Sequence, residues 1–291
     1  MIEIDRDWCI AHPLPDHGES TDKNARGRVL AAGGGLEVPG GLALTGEAAL
    51  RAGAGKVRLA SVAALTSALG IAFPEAGVVP LSADDAGEIA AEAADALIRA
   101  AERCDTLVLG PAISSRSCAA SLVQAVLAAD LPDVAILLDA AAVACAGAHE
   151  DAVRRHPGTL VLTPHFGEMA ALTGEDAAAI EADQAGAAAR AATRFGAIVV
   201  LKGGETVVAA PDGTILHYRG GGVGLGTGGS GDVLAGVIAG LMSRGTDPLI
   251  AAGWGVWLHG EAGRTAADRI GPIGFLAREL LPEIPRLMAE H

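Results

Sequence analysis

Short apolar runs recur along the chain, most of them closed by glycine, proline or a single polar residue. Arg28–Ala32 (RVLAA), Lys56–Ala60 (KVRLA), Gly77–Leu81, Thr106–Leu109 (TLVL), Val134–Leu138 (VAILL), Leu160–Leu162 and Ala197–Leu201 (AIVVL) read as short buried strands. Val207–Ala210 and Thr214–Tyr218 flank a PDG turn and read as a β-hairpin. Between the strands lie alanine-rich segments of helical period. Helices are expected over Ala43–Ala52, from about Val62, over Asp85–Arg103, from about Ser117, around Glu168 and over Glu175–Arg194. Others should start near Pro248, Pro272 and Pro282. Strand and helix alternating over the whole length predict an α/β fold. Its form is a three-layer, doubly wound, mostly parallel sheet with helices on both faces. Residues 1–27 read as an irregular arm ordered against the body. No linker or charge block divides 28–291, which is expected to form one domain.

One stretch breaks the rhythm. Residues 220–231 carry glycine at 220, 221, 222, 224, 226, 228, 229 and 231, more than a helix cap requires. Asp232 follows, and then Val233, Leu234, Val237, Ile238, Leu241 and Met242 at helical spacing, with Ser230 as candidate N-cap and Gly245 as stop. A glycine loop feeding a helix N-terminus is an anion site, because free N–H groups and the positive dipole end converge there. A carboxylate in the same first turn suits a loop that holds a transferring phosphoryl group beside a general base. The G-x-G-x-x-G spelled by Gly226, Gly228 and Gly231 follows no clean strand. The Walker pattern fails because Asp232 stands where lysine belongs, and the nucleophile-elbow pattern around Ser230 lacks its closing glycine.

Ligands of open α/β sheets bind outside the carboxyl ends of strands. Gly110-Pro111, Asp139, Thr163-Pro164-His165 and Lys202-Gly203 all follow apolar runs and should share that edge with the glycine loop. Taken singly, Asp139 suits a helix cap, His165 a structural histidine and Lys202 a solvated strand end. Together they point to a nucleotide site with a second substrate beside it. Asp232 would take the proton of a substrate hydroxyl, and that oxygen would attack the terminal phosphate. N–H groups of Gly228, Gly229, Ser230 and Gly231 would hold the phosphoryl group, with Mg2+ bridging phosphate oxygens. No metal cage is legible in the sequence.

Charge and cysteines narrow the class further. The formal net charge of −14 over 291 residues argues against nucleic acid or an anionic membrane as partner. Cys9, Cys104, Cys118 and Cys145 form no CxxC, so buried reduced thiols in a cytoplasmic protein are expected. Neither a signal peptide nor an apolar run of bilayer length is visible.

Four motifs in order, TGEAALRAGAGKVRLAS (Thr45–Ser61), LTPHFGEMAALTG (Leu162–Gly174), VLKGGETVVAAPDG (Val200–Gly213) and GTGGSGDVLAGVIAGLMSRG (Gly226–Gly245), resemble the ATP/ADP-dependent NAD(P)H-hydrate dehydratases. These are carbohydrate-kinase-like repair enzymes of the ribokinase superfamily, and the likeness runs from about Asp22 to Leu287. The resemblance implies that the S-form of hydrated NADH or NADPH is phosphorylated on its ring hydroxyl by ADP or ATP. Phosphate then leaves and the dihydronicotinamide is restored. It further implies Asp232 as catalytic base touching the hydrated ring, and Leu42, Ala112 and His165 as substrate contacts. Lys202, Gly203, Gly204, Glu205, Thr206 and Gly231 would hold the adenine nucleotide. Relatives suggest a homo-oligomer, a tetramer among the forms, and the epimerase domain fused to some of them is not expected here. The chain departs from the family pattern at Ala112, Ala141, Phe166 and Gly222, all near substrate contacts. A small-molecule kinase of the hydroxymethylpyrimidine or hydroxyethylthiazole type and a non-catalytic nucleotide-binding paralogue are the alternative readings.

Overall fold

The computed structural model describes residues 1–16, 18 and 23–290. Ten strands form one sheet: β1 (Ile2–Glu3), β2 (Arg28–Ala32), β3 (Lys56–Val62), β4 (Gly77–Leu81), β5 (Thr106–Leu109), β6 (Ala135–Leu138), β7 (Leu160–Leu162), β8 (Ile198–Leu201), β9 (Thr206–Ala209) and β10 (Ile215–Tyr218). Their spatial order is β1-β10-β9-β8-β7-β6-β5-β2-β3-β4, parallel except for the β8–β9 and β9–β10 pairs. The PDG turn closes the β9–β10 hairpin as its chemistry requires. Gly213 sits at φ 92°, and Asp212 Oδ1 accepts the Thr214 N–H at 2.8 Å.

Period-two alternation sends neighbouring residues to opposite cores. Leu30, Leu107, Leu109, Ile136 and Val199 pack under the helices between Ala94 and Phe195. Val29, Val108, Leu137, Ile198 and Val200 pack under helices Gly40–Arg51, Ser230–Ser243 and Pro248–Ile270. The sheet is thus covered on both faces, as a parallel sheet must be. The Ser230–Ser243 helix lies deepest, with every residue from Val233 to Ser243 buried. It crosses Gly40–Arg51 at close range through Gly236 and Gly240, where a methyl would lie 2.2 Å from Thr45 O and 2.5 Å from Ala49 O respectively.

Several expectations are corrected. The first residues are no irregular arm: β1 joins the sheet beside β10, and Arg6–Ala11 is a helix capped by Asp5, although residues 17 and 19–22 of that segment lie outside the described residues. The helix expected over Asp85–Arg103 is confined to Ala94–Ala101 behind a 3-10 turn. Asp84 Oδ1 captures the N–H groups of Ala86 and Glu88, and Gly87 turns at φ 81°, so 84–88 folds as a side-chain-closed turn. The helix expected over Glu175–Arg194 splits at Asp183, whose non-helical backbone precedes Gln184–Phe195 and whose Oδ1 accepts Gly186 N–H. Pro272 lies in a loop and starts no helix; Pro248 and Pro282 do mark helix starts.

Candidate active site

The polar groups at the strand ends converge. Asp139, at the end of β6 and almost wholly buried, accepts Lys202 Nζ at 2.9 Å and the Thr163 hydroxyl at 2.7 Å. Glu168 Oε2 stands 3.8 Å from the same ammonium. Burial disfavours the charge of Lys202, but Asp139, Glu168 and Asp232 outweigh it and raise its pKa, so the lysine is a fixed cation. Its Nζ lies 3.5 Å from the place a methyl on Gly231 would occupy, at the first turn of the Ser230–Ser243 helix.

That turn is built for an anion. The helix is preceded by Gly229 at φ 87°, a left-handed position without a side-chain cap. Among the described residues no group accepts the backbone N–H of Gly228, Gly229, Gly231 or Asp232. Ser230 is no N-cap but the first helical residue, and its N–H is spent on Thr227 O at 3.3 Å. The N–H set expected of Gly228, Gly229, Ser230 and Gly231 is therefore made by the three glycines and Asp232.

Asp232 projects from the same turn into a half-buried niche. Burial, then the charge of Asp139, raise its pKa from 3.8 to about 6 against the opposing pull of Lys202. The niche exists because Gly41 has no side chain: a methyl there would lie 2.8 Å from Asp232 Oδ2 and 3.1 Å from Ala112 Cβ. Ala112 reaches this point by holding φ at 58°, uncommon for a residue with a side chain. Leu42, the expected contact, is completely buried on the core side of its helix. The position facing Asp232 is Gly41.

A cleft of about 630 Å³ opens beside this niche, lined by His165, Lys202, Gly203, Gly204, Thr206, Ser230, Gly231 and His259 among others. His165 caps the Phe166–Thr173 helix: its Nδ1 accepts the N–H groups of Gly167 and Glu168 at 2.9 and 3.2 Å. The ring proton therefore sits on Nε2, and the side chain is 60% exposed at the cleft mouth. Glu205 turns away from the cleft and holds His217 Nε2 at 2.6 Å. Of the four departures from the family pattern, Gly222 lines the cleft with open space around it.

Sequence reasoning missed His259, in the long helix Pro248–Ile270. Its Nε2 lies 2.9 Å from Ser230 Oγ and 3.0 Å from Ser230 O. Burial, aided by the charge of Lys202, lowers its pKa to about 4, so the imidazole is neutral. The available signal was a single histidine in the apolar run GWGVWLHG. Among the described residues no three His, Cys, Asp or Glu side chains gather as a metal site, and no helix is long and apolar enough to cross a membrane.

A doubly wound sheet whose glycine loop feeds a carboxylate-bearing helix at its carboxyl edge is the ribokinase-like arrangement. Solved structures carry the same fold. The ADP/ATP-dependent NAD(P)H-hydrate dehydratase of Bacillus subtilis, co-crystallised with ATP and Mg2+, matches with a TM-score of 0.83 at 26% identity, over 99% of this chain and 98% of that one. A hydroxyethylthiazole kinase from Pyrococcus horikoshii shares the fold alone, with a TM-score of 0.57 at 21% identity, over 91% of this chain and 89% of that one. The carbohydrate-kinase-type family described as NAD(P)H-hydrate dehydratase matches residues 29–286. The ADP-dependent (S)-NAD(P)H-hydrate dehydratase of Xanthomonas campestris is 47% identical over 96% of this chain and 93% of its own length. The enzyme of the same description from Bacillus subtilis is 30% identical over 96% of both. The chain belongs to the NAD(P)H-hydrate dehydratase family.

Proposed function

We propose that this chain restores NADH and NADPH from the S-form of their hydrates, with ADP or ATP as phosphoryl donor. The observation that carries the reading is Asp232: a carboxyl with its pKa raised to about 6, opposite the bare backbone of Gly41, in the first turn of an anion-binding helix. Such a group is ionised at neutral pH yet basic enough to accept a proton.

Asp232 takes the proton of the ring hydroxyl, and the freed oxygen bonds to the terminal phosphorus as the bond to the nucleotide leaving oxygen breaks. ADP then gives AMP, and ATP gives ADP. N–H groups of Gly228, Gly229 and Gly231 face the charge that builds on the phosphoryl oxygens, and Lys202 adds a fixed positive charge beside Gly231. In the second stage the carbon–oxygen bond to phosphate breaks with the electrons of the ring nitrogen behind it. The neighbouring ring carbon loses a proton to the departing phosphate and the double bond returns. Phosphate leaves far more readily than hydroxide.

Gly41, Ala112 and His165 would bound the hydrated nicotinamide, with Leu42 next to Gly41 in the chain, and Lys202, Gly203, Gly204, Glu205, Thr206 and Gly231 would hold the nucleotide. Glu205 would act there through its backbone. Mg2+ fits as an ion held mainly by phosphate and water; when bound it would neutralise phosphate charge. We place the reaction in the cytoplasm and expect a homo-oligomer, which light scattering can count. The test is recovery of dihydronicotinamide absorbance when the protein meets hydrated NADH, Mg2+ and ADP or ATP. Recovery that Asp232→Asn abolishes supports the reading. A stable phosphate ester without recovery would instead make the protein a small-molecule kinase.

A further inference from the structure

Two features of Ser230 fit no capping role. Its N–H is directed back to Thr227 O, and its hydroxyl meets a histidine from a helix that follows in the chain. A carbonyl oxygen can only accept, so the 3.0 Å contact of His259 Nε2 with Ser230 O puts the single ring proton on Nε2. The same Nε2–H is within reach of Ser230 Oγ at 2.9 Å, and is shared between the two oxygens. Ser230 Oγ is then an acceptor toward His259. No other described group takes its own O–H proton, and both residues line the cleft beside Gly231.

We propose that His259 is a positioning residue: its Nε2–H fixes the Ser230 side chain so that the serine hydroxyl donates into the cleft, to an oxygen of the phosphoryl group held at the helix N-terminus. This rests on the phosphoryl-transfer reading above. It gives the turn a side-chain donor where the Ser230 backbone N–H is already used. Burial, with the nearby charge of Lys202 adding to it, keeps the imidazole neutral against the hydrogen bond to Ser230, so the ring does not itself exchange protons with substrate.

The test compares His259→Leu, His259→Gln, Ser230→Ala and the Leu/Ala double variant in dehydration and in ADP binding by calorimetry. Glutamine keeps an N–H at about the reach of Nε2. Losing a positioned donor to a developing oxyanion costs roughly 100- to 1000-fold, so His259→Leu and Ser230→Ala should each lower kcat by roughly 100-fold or more. The double variant should fall no further than the worse single, because one donor is lost in each. Glutamine should hold kcat within about 3-fold, ADP affinity should stay within about 3-fold, and the leucine loss should be the same from pH 6 to 9. Additive losses, glutamine no better than leucine, or a loss that changes with pH would overturn the proposal. Should the leucine variant fail to fold, Ser230→Ala against Ser230→Thr carries the test, since threonine keeps the hydroxyl and should keep the rate. If the wild-type chain shows no dehydration, the proposed function falls. The same variants are then read by how far fluoroaluminate tightens Mg2+·ADP binding, which needs no acceptor.

Discussion

Asp232→Asn should abolish dehydration and make the protein more stable at neutral pH. The folded protein holds the Asp232 carboxyl at a pKa of about 6 against an ordinary 3.8, through burial first and the neighbouring charge of Asp139 second. Between those values the folded state binds the proton that the unfolded chain has released, so stability falls as pH rises from about 4 to 6 and stays reduced above. At about 1.4 kcal/mol per pKa unit, ionised Asp232 costs the fold up to about 3 kcal/mol at pH 7.5. Asparagine has nearly the same shape and no charge, and removes that penalty. Because 1 kcal/mol moves the melting temperature of a domain this large by roughly 2–4 °C, the variant should melt up to roughly 6–12 °C higher at pH 7.5. Its advantage should shrink to near zero by about pH 4. Urea or thermal melts of both proteins between pH 4 and 8 supply the check. Equal stability at pH 7.5, or a difference that does not vary with pH, would refute the idea that the site holds its base in a costly state.

Other consequences are as direct. The acid limb of kcat/KM should fall tenfold per pH unit below about 6. Asp139→Asn, which removes the like charge, should move that limb to lower pH, and a pH–rate profile reads the sign. Lys202→Met strands the buried Asp139 with only the Thr163 hydroxyl, so it should destabilise the fold by about 3–5 kcal/mol in denaturant titrations and move the limb upward. Gly41→Ala would set a methyl 2.8 Å from Asp232 Oδ2, so turnover should drop at least ~100-fold while nucleotide binding, measured by calorimetry, persists.

Some of this was readable in the chain and some was not, for definite reasons. β2, β5 and β7 stand where their apolar runs put them, since a buried parallel strand needs only an unbroken apolar run. The glycine loop running into a helix that carries Asp232 in its first turn was readable because these residues are local in sequence. The fate of 84–90 was not, because the same alanine-rich composition yields a turn once Asp84 binds backbone and Glu88 accepts the Ser114 N–H. Helix phase turns Gly41 toward Asp232 and Leu42 into the core, and a shift of one residue separates the two faces. His259 gave no local pattern, since its meaning comes only from Ser230, twenty-nine residues earlier in the chain.

The long helix Pro248–Ile270 touches the very start of the chain: Trp254 Nε1 donates to His12 O at 2.7 Å across 242 residues, and Trp8 packs on Gly253. During synthesis at roughly 5–20 residues per second, the Arg6–Ala11 helix therefore waits on the order of ten to fifty seconds for its seat. His259 rides on the same late helix, so the cleft is finished only after almost everything else has been made. Nucleotide cannot guide the early stages of folding; it can only hold the completed protein closed, raising stability with each increment of ligand above its dissociation constant. A ribosome-bound chain should begin to retain ADP at one late point in its elongation, just when Trp8 and Cys9 cease to be open to solvent.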